Sequence, residues 1–393
     1  MKTRFPKTLL HTLLLLLLLI IMTGCSSAGS GPNGTGAKIS DLIRPTESTS
    51  PLVQLPEGTL IIDAESLDEK SAQLEKAIRD RVTSVCVKSS IAFTWDQFYA
   101  MDSGSFWLES YATGSGFGRF SGDKEKSLYC LYEFTYYDLT EEEIREMKAA
   151  LAAKIAEITA LVPADADIWE KARLVHDELI RRVSYDQSLK LPHCHDAYGA
   201  LVNGMAVCSG YASAFSTIMA ALGERCPMVV SDTHAWNRIG ARTFEDFIDV
   251  TWDDLDLKDS QGHDYIHYSF FGLTREEVEA VDAHVIEGGA NAYTNYLSDP
   301  ITFNYCGHEG YRFASYDKSK ITKALAAQLK AGKNILMLRF DNPADFARAA
   351  AWWDGDGEEI SRILLDAGLQ GQYLYWITNE VQTVMIGLDP VLQ

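Results

Sequence analysis

The sequence predicts an α+β fold, in which a helix that carries a cysteine packs on an antiparallel sheet that carries a histidine and an aspartate, with small α/β domains on either side. Two observations predict the central part. Apolar side chains recur at helical spacing from Tyr211 to Leu222, just after Cys208 and an Asn203-Gly204 turn signal. Alternating residues around His234 and Asp249, with a short loop between them, predict two paired strands.

The cysteine is predicted to lie at the N-terminus of its helix. Unpaired backbone N–H groups and the positive end of the helix dipole are found at such a position. Both favour the thiolate, which is the nucleophilic form, and the same N–H groups can hold a developing oxyanion. Gly210, two residues after Cys208, lets another backbone segment approach the helix closely.

The histidine and the aspartate are predicted to face each other across a β-hairpin. A two-residue turn at Ala241 and Arg242 would place His234 directly opposite Asp249. Directly opposed residues have Cβ atoms about 4.5–5.5 Å apart, close enough for the carboxylate to accept a hydrogen bond from the imidazole. A slip of one residue would turn the two side chains to opposite faces of the sheet.

Each of the three residues also has an ordinary structural explanation. A cysteine before a helix is often a small buried apolar residue, a histidine beside a tryptophan often belongs to a core, and an aspartate can cap a turn. Their order and spacing favour catalysis, because a thiol, an imidazole and a carboxylate are the groups that a thiol-based acyl-transfer site requires.

Four segments in the middle of the chain carry a recognisable set of motifs. The first is Tyr185-Asp186, after a helical stretch. The second is Ala197-Tyr198-Gly199-Ala200-Leu201 together with Gly204, Val207-Cys208 and Gly210-Tyr211-Ala212, which follow it. The third is His234-Ala235-Trp236-Asn237, and the fourth is Asp249-Val250-Thr251-Trp252-Asp253-Asp254. Over roughly residues 165–285 this pattern resembles the transglutaminase-like branch of the papain-like thiol enzymes.

The resemblance implies a role for each motif residue. It makes Cys208 the nucleophile, His234 the base and Asp249 the acid that orients the base. Candidates for contact with the substrate or for the second oxyanion donor are Tyr185, Trp236 and Tyr211. The run His193-Cys194-His195 departs from the small polar residues that the pattern leads us to expect.

The first residues have the pattern of a secretion signal. Lys2, Arg4 and Lys7 precede an apolar run, and Thr23-Gly24-Cys25 follows it. Cys25 after Gly24 resembles a bacterial lipobox, which implies a lipoprotein signal over residues 1–25, with cleavage just before Cys25 and lipidation of Cys25; a plain transmembrane anchor is the alternative. Residues 26–58 are rich in Ser, Gly, Pro and Thr and predict a flexible tether. We therefore expect an extracytoplasmic protein, lipid-anchored to a bacterial membrane.

Composition excludes some functions. A formal net charge of -20 argues against nucleic acid as a partner and against a basic patch on anionic lipid. Besides Cys25 and Cys208, five cysteines remain, an odd number that does not favour a disulfide framework, although one pair is compatible with it. No Cys-x-x-Cys pair is present and we expect neither a metal nor a cofactor. The five cysteines other than Cys25 and Cys208 are Cys86, Cys130, Cys194, Cys226 and Cys306.

The rest of the chain divides around the central motifs. We expect an N-terminal α/β domain over residues 59–162, a transglutaminase-like core over 163–300 and a C-terminal α+β domain over 301–393. Capping boxes at Thr140-x-x-Glu143 and Thr274-x-x-Glu277 predict two helix starts, and residues 253–268 read as an acidic loop.

The expected reaction is acyl transfer from a peptide or glutaminyl amide through the three motif residues, with peptides or proteins of the cell envelope as substrates. Water as acceptor would give a peptidase, amidase or deamidase, and an amine would give crosslinking; the envelope location favours hydrolysis. The alternatives are a surface binding module on the same fold without catalysis, and a structural metal protein.

Overall fold

The computed structural model describes residues 55–63, 80–93, 113–120, 127–231, 233–240, 246–284, 303–353, 358–369 and 371–389, together with residues 69, 73, 74, 76 and 77. The predicted signal segment with Cys25, the predicted tether up to residue 54 and the predicted turn at Ala241 and Arg242 lie outside these residues. Within them, no helix has both the length and the hydrophobicity needed to cross a bilayer.

The N-terminal part contains a four-stranded sheet. Its strand order is β1-β2-β4-β3, with β1 parallel to β2 and the other pairs antiparallel. One face is apolar because valines and aromatic residues alternate along the strands, and Val85, Val87, Tyr132 and Phe134 are buried there. The strands are β1 (Leu60–Asp63), β2 (Ser84–Phe93), β3 (Thr113–Phe120) and β4 (Ser127–Tyr136).

Two helices follow this sheet. The helix α1 (Glu141–Thr159) begins with the predicted capping box between Thr140 and Glu143. The helix α2 (Ile168–Arg182) is capped by Asp167, and it buries one face in the main core of the molecule. The helix α2 is the helical stretch that the sequence predicts before Tyr185-Asp186.

The central domain places a buried helix against an antiparallel sheet, as predicted. In chain order its elements are β5 (Ser184–Tyr185), β6 (Met205–Ala206), α3 (Cys208–Ala221), β7 (Met228–Val230), β8 (Ala235–Ile239), β9 (Asp246–Ile248), α4 (Val250–Asp253), β10 (Asp254–Lys258), β11 (Asp264–Ile266), β12 (Phe271–Leu273) and α5 (Arg275–Glu279). The sheet order is β12-β9-β8-β7, and all its pairs are antiparallel. The Asn237 side chain ties this sheet to α3 because its Nδ2 donates to Ala212 O at 3.0 Å and to Ser216 Oγ at 2.9 Å.

The prediction of an acidic loop over residues 253–268 is wrong. This segment contains the antiparallel pair β10–β11, whose register shifts between Asp254 and Lys258. Leu255 and Leu257 alternate with Asp254 and Asp256, and both leucines pack against the main core. The acidic side chains hid this period-two pattern, which is typical of a strand with one buried face.

The C-terminal part is a sheet with three helices of eight or more residues. Its mixture of helices and strands agrees with the α+β character expected of residues 301–393. Met337 and Met385 of this sheet belong to the same buried cluster as the central domain. The elements are α6 (Tyr305–His308), β13 (Arg312–Phe313), α7 (Lys318–Lys330), β14 (Ile335–Phe340), α8 (Pro343–Ala350), α9 (Glu358–Ala367), β15 (Tyr373–Thr378) and β16 (Thr383–Leu388), in sheet order β13-β14-β16-β15.

Candidate functional site

The thiol of Cys208 lies at the start of α3. Cys208 is the first helical residue, and Val207 precedes it in an extended conformation without a side-chain cap. This is the position that the sequence predicted, at the positive end of the helix dipole. Cys208 is fully buried, with 0% of its surface exposed.

The unusual His193-Cys194-His195 run lies directly against this helix end. The carbonyl oxygen of Cys194 accepts a hydrogen bond from Val207 N at 2.8 Å. A Cβ atom at Gly210 would lie 2.4 Å from that same oxygen, so only glycine allows the approach. Ser209, next to the thiol, has its Oγ 3.0 Å from His195 Nδ1. Cys194 and His195, which belong to the run that departs from the motif, therefore pack against the helix end that carries Cys208.

His234 and Asp249 meet at the end of the central sheet. His234 directly precedes β8, Asp249 directly follows β9, and His234 Nε2 lies 2.6 Å from Asp249 Oδ2. Both side chains are buried. The predicted direct opposition is wrong, because the β8–β9 ladder pairs Arg238 with Phe247 and is offset by two residues. An even offset leaves both side chains on the same face, so the contact still forms.

A second histidine, which sequence reasoning missed, shares the aspartate. His284 ends a single 3-10 turn after α5, is fully buried, and has its Nε2 2.7 Å from Asp249 Oδ2. It lies 35 residues after Asp249 and beyond the motifs, and nothing in its local sequence distinguishes it from a core histidine. Only the fold brings it to the site.

The electrostatics of the cluster favour an ionised aspartate. Burial would raise the pKa of Asp249, but the neighbouring His234 and the hydrogen bonds from both imidazoles outweigh it and hold that pKa well below its usual range. Burial lowers the pKa of the His284 imidazole, against the attraction of Asp249. Asp249 Oδ1 also accepts from Trp252 N at 3.1 Å, so the residue caps α4 as well.

His234, Asp249 and His284 are also residue types that bind metal ions. One ligand atom from each of His234, Asp249 and His284 lies within 4.8 Å of the others. Zinc bonds of about 2.0–2.1 Å at tetrahedral angles hold neighbouring ligand atoms about 3.3 Å apart. The N–O distances of 2.6 and 2.7 Å are instead those of charge-assisted hydrogen bonds. The cluster as it stands fits a hydrogen-bonded relay better than a metal site.

A further network of buried hydrogen bonds positions the backbone of Asp249. His176 has Nδ1 3.1 Å from Asp177 Oδ1 and Nε2 3.2 Å from Asp253 Oδ2. Asp253 Oδ1 accepts from Phe270 N at 2.9 Å, and the Phe270 carbonyl accepts from Asp249 N at 3.1 Å. Burial alone would lower the pKa of His176, but the hydrogen bonds to both carboxylates raise it to about 9. The second aspartate of the motif thus positions the first.

The three residues predicted to contact the substrate differ in the contacts that they make within the protein. Tyr185 pairs with Ala206 in the short β5–β6 ladder and is half-buried. The Tyr211 hydroxyl lies 2.7 Å from Asp254 Oδ2 and 3.0 Å from Val183 O, so its one proton is already used. Trp236 stacks on His234 with ring centroids 5.9 Å apart. Its buried Nε1 has no hydrogen-bond partner among the described residues.

The N-terminal sheet covers the thiol end of the site. Cys208 belongs to one buried apolar cluster with Ala235, the residue after His234, and with Val85, Val87 and Phe134 of that sheet. The other cysteines whose side chains are described, Cys86, Cys194, Cys226 and Cys306, are buried too, and none of them is in a disulfide. Burial raises the pKa of each of these four thiols, to about 12 for Cys194 and Cys306.

The fold and this constellation define a class: an α+β domain with a cysteine at a helix N-terminus and a histidine–aspartate pair on an adjoining antiparallel sheet. Comparison with protein-family models agrees, because residues 152–270 match the transglutaminase-like superfamily. The chain therefore contains a transglutaminase-like superfamily domain, which confirms the resemblance inferred from the motifs.

Other comparisons add little. No curated protein matches the chain. Among solved structures, the chain is similar to menin in a crystal structure that reveals the binding site for the Mixed Lineage Leukemia protein, at 17% identity and a TM-score of 0.24. The match covers 58% of this chain and 51% of the menin chain, so this chain spans about half the length of that protein.

Proposed function

We propose that this protein is a thiol enzyme that breaks or exchanges amide bonds of peptides or proteins, with Cys208, His234 and Asp249 as its catalytic residues. The observation that carries the proposal is the 2.6 Å contact between His234 Nε2 and Asp249 Oδ2, formed beside a helix that begins at Cys208. The superfamily to which residues 152–270 belong consists mostly of enzymes.

The chemistry follows from which nitrogen of His234 is occupied. A carboxylate only accepts hydrogen bonds, so Nε2 of His234 carries a proton, and in the neutral ring Nδ1 is the basic nitrogen that takes the proton of the thiol. The Cys208 sulfur then bonds to the amide carbonyl carbon, and the C–N bond breaks as the imidazolium returns that proton to the leaving amine or ammonia. Water or a second amine attacks the thioester and restores the thiol.

The substrate class and the location belong to the same proposal. The secretion-signal pattern that ends at Cys25, together with the tether that follows it, supports a position outside the cytoplasmic membrane. Peptides and proteins of the cell envelope are the amides available there. Hydrolysis is the favoured outcome, with crosslinking as the alternative acceptor reaction.

One assay separates these outcomes. The full chain is incubated with mixed envelope peptides and a primary amine, and mass spectrometry with an ammonia assay follows cleavage, deamidation and amine incorporation together. We expect product with the wild type, none with Cys208→Ala, and wild-type yield with Cys226→Ala. Cys226 is a matched control because it is also buried and undisulfided. Equal product from Cys208→Ala and the wild type would refute the proposal.

A surface binding module is the second candidate, and one observation favours it. Cys208, His234 and Asp249 are all buried, and Cys208 packs within the cluster that joins the N-terminal sheet to the core. A protein that only binds has no need of an accessible thiol. In that case Cys208→Ala would bind envelope peptides as the wild type does, and neither would change them.

A further inference from the structure

Within the described part of the chain, the carboxylate of Asp249 accepts three hydrogen bonds, two of which converge on one oxygen. Oδ2 receives His234 Nε2 at 2.6 Å and His284 Nε2 at 2.7 Å, while Oδ1 receives Trp252 N at 3.1 Å. An acceptor-only carboxylate requires both imidazoles to present N–H at Nε2. The arrangement therefore fixes the tautomer of His284 as well as that of His234.

His284 is held rigidly where it donates. Its ring packs edge-on against Trp252 at 4.5 Å and Trp236 at 4.7 Å, and it stacks with Phe270 at 5.8 Å. Among the residues that the structure describes, its ring and hydrogen-bond contacts are with these three aromatic rings and with two titratable groups, Asp249 and His234. An imidazole enclosed in this way cannot turn to release the carboxylate without moving two tryptophans.

A single hydroxyl joins the backbone around the two histidines. Ser231 Oγ donates to Ala283 O at 2.6 Å and accepts from His234 N at 3.0 Å. Both Ser231 and His284 are buried, so this connection does not compete with bulk water. The turn that carries His284 and the segment that carries His234 are therefore positioned against each other.

On the basis of the proposed function, we propose that His284 is a positioning residue, which holds the Asp249 carboxylate so that Oδ2 faces His234 and does so as a neutral donor. The neutral form matters because a cation at this position would cancel the negative charge that stabilises the His234 imidazolium. A neutral N–H satisfies the buried carboxylate and leaves its charge for His234. The lowered pKa of His284 agrees with a neutral ring at neutral pH.

The test is the pH profile of alkylation of Cys208 by iodoacetamide in the full chain, followed by peptide mapping. An ordinary thiol slows about a hundredfold between pH 8 and pH 6, whereas a thiolate paired with imidazolium slows far less. Because Cys208 is buried, the shapes of the profiles are compared rather than the absolute rates. We expect a flat profile for the wild type, a steep one for His284→Phe, and a flat one for His284→Gln, which keeps an N–H donor. His263→Phe, at a surface position, is the control and stays flat.

The possible results distinguish failure of the role proposed for His284 from failure of the proposed thiol-enzyme function on which it rests. A steep wild-type profile overturns the thiol-enzyme proposal and this one with it. A flat wild-type profile that stays flat in folded His284→Phe overturns only the role of His284. If His284→Phe does not fold, ¹⁵N-histidine spectra of the wild type decide: neutral Nε2–H at His284 at pH 7 supports the role, and an imidazolium or an Nδ1–H tautomer contradicts it.

Discussion

His234 and Asp249 touch at 2.6 Å although they lie on a diagonal of the β8–β9 ladder rather than opposite each other. Continuing the observed pairs places Asp249 across from Trp236, two residues beyond His234. Diagonal neighbours on one face lie about 7–8 Å apart, within reach of an imidazole and a carboxylate. The contact therefore depends on which face the two residues share, and a two-residue change of register preserves it.

Replacing Asp249 by Asn tests the orienting role directly. The amide can donate to Nε2 of His234 and would favour the tautomer that leaves Nδ1 protonated, so the ring could not take the thiol proton. We expect product formation in the envelope-peptide assay to fall about 10³–10⁴-fold. Oδ1 of Asn can still accept from Trp252 N, so the cap of α4 survives.

The control for that variant is Asp256→Asn. Asp256 is exposed, and its φ of 49° is a left-handed conformation that Asn tolerates. We expect this variant to retain wild-type product formation. Wild-type activity in Asp249→Asn, with cooperative thermal unfolding in both variants, would contradict the orienting role.

Much of this site was predictable because its signals are local. The start of α3 at Cys208 follows from a turn signal and a helical pattern, and the strands around His234 and Asp249 follow from alternation. The hairpin register was not predictable, because the position and length of the turn decide it, and a turn at Ala241 and Arg242 predicts a register two residues away from the observed one. An error in the predicted register leaves each side chain on the correct face of the sheet only when the register is wrong by an even number of residues.

The close contact at Gly210 predicts a loss of stability on substitution by alanine. A Cβ there would lie 2.4 Å from Cys194 O and 2.7 Å from Ala206 Cβ, and backbone atoms must move to relieve it. Helix propensity alone would favour alanine by about 1 kcal/mol. We expect Gly210→Ala instead to lower the free energy of unfolding by about 1–3 kcal/mol, as overpacking does.

Ala220→Gly calibrates that measurement, because Ala220 is an exposed residue of the same helix. It gives the propensity term of α3 without any change in contact. Chemical denaturation of the three proteins supplies the values. If Gly210→Ala is more stable than the wild type by the amount that Ala220→Gly loses, the segment at Cys194 does not press on the helix.

The raised pKa of His176 predicts a pH dependence of stability. A histidine whose pKa rises from about 6.5 unfolded to about 9 folded stabilises the protein fully below pH 6.5. This contribution disappears as the pH rises through 9, and it amounts to at most about 3 kcal/mol. We expect the free energy of unfolding to fall between pH 6.5 and 9, and to fall much less in His176→Gln.

His263→Gln is the matched control for that pH series, because His263 is 67% exposed and also lies beside an aspartate. It should follow the wild-type curve. Identical slopes for His176→Gln and the wild type would mean that His176 is not charged between Asp177 and Asp253.

The buried polar contacts are the part of the site that the sequence did not reveal. His176, His267 and His284 each look like a core histidine in the sequence. Yet His176 and His267 both contact Asp253, and His284 contacts Asp249, although none of the three histidines lies in a motif. Pairings of this kind depend on how α2, the segment between β11 and β12, and the turn after α5 pack together. No period or spacing in one sequence records that packing.

The cluster that joins the N-terminal sheet to Cys208 predicts that loosening the sheet exposes the thiol. Phe134 is 5% exposed in this cluster, and truncation of such a side chain leaves a cavity that destabilises a core by about 3–5 kcal/mol. We expect Phe134→Ala to raise the alkylation rate of Cys208 at least about tenfold, because local opening of the sheet becomes easier. Phe346→Ala is the matched control, since Phe346 is equally buried but lies in the C-terminal cluster, which does not contain Cys208. Both variants should lose thermal stability, and only the first should gain reactivity; equal alkylation rates would mean that the N-terminal sheet does not limit access to the thiol.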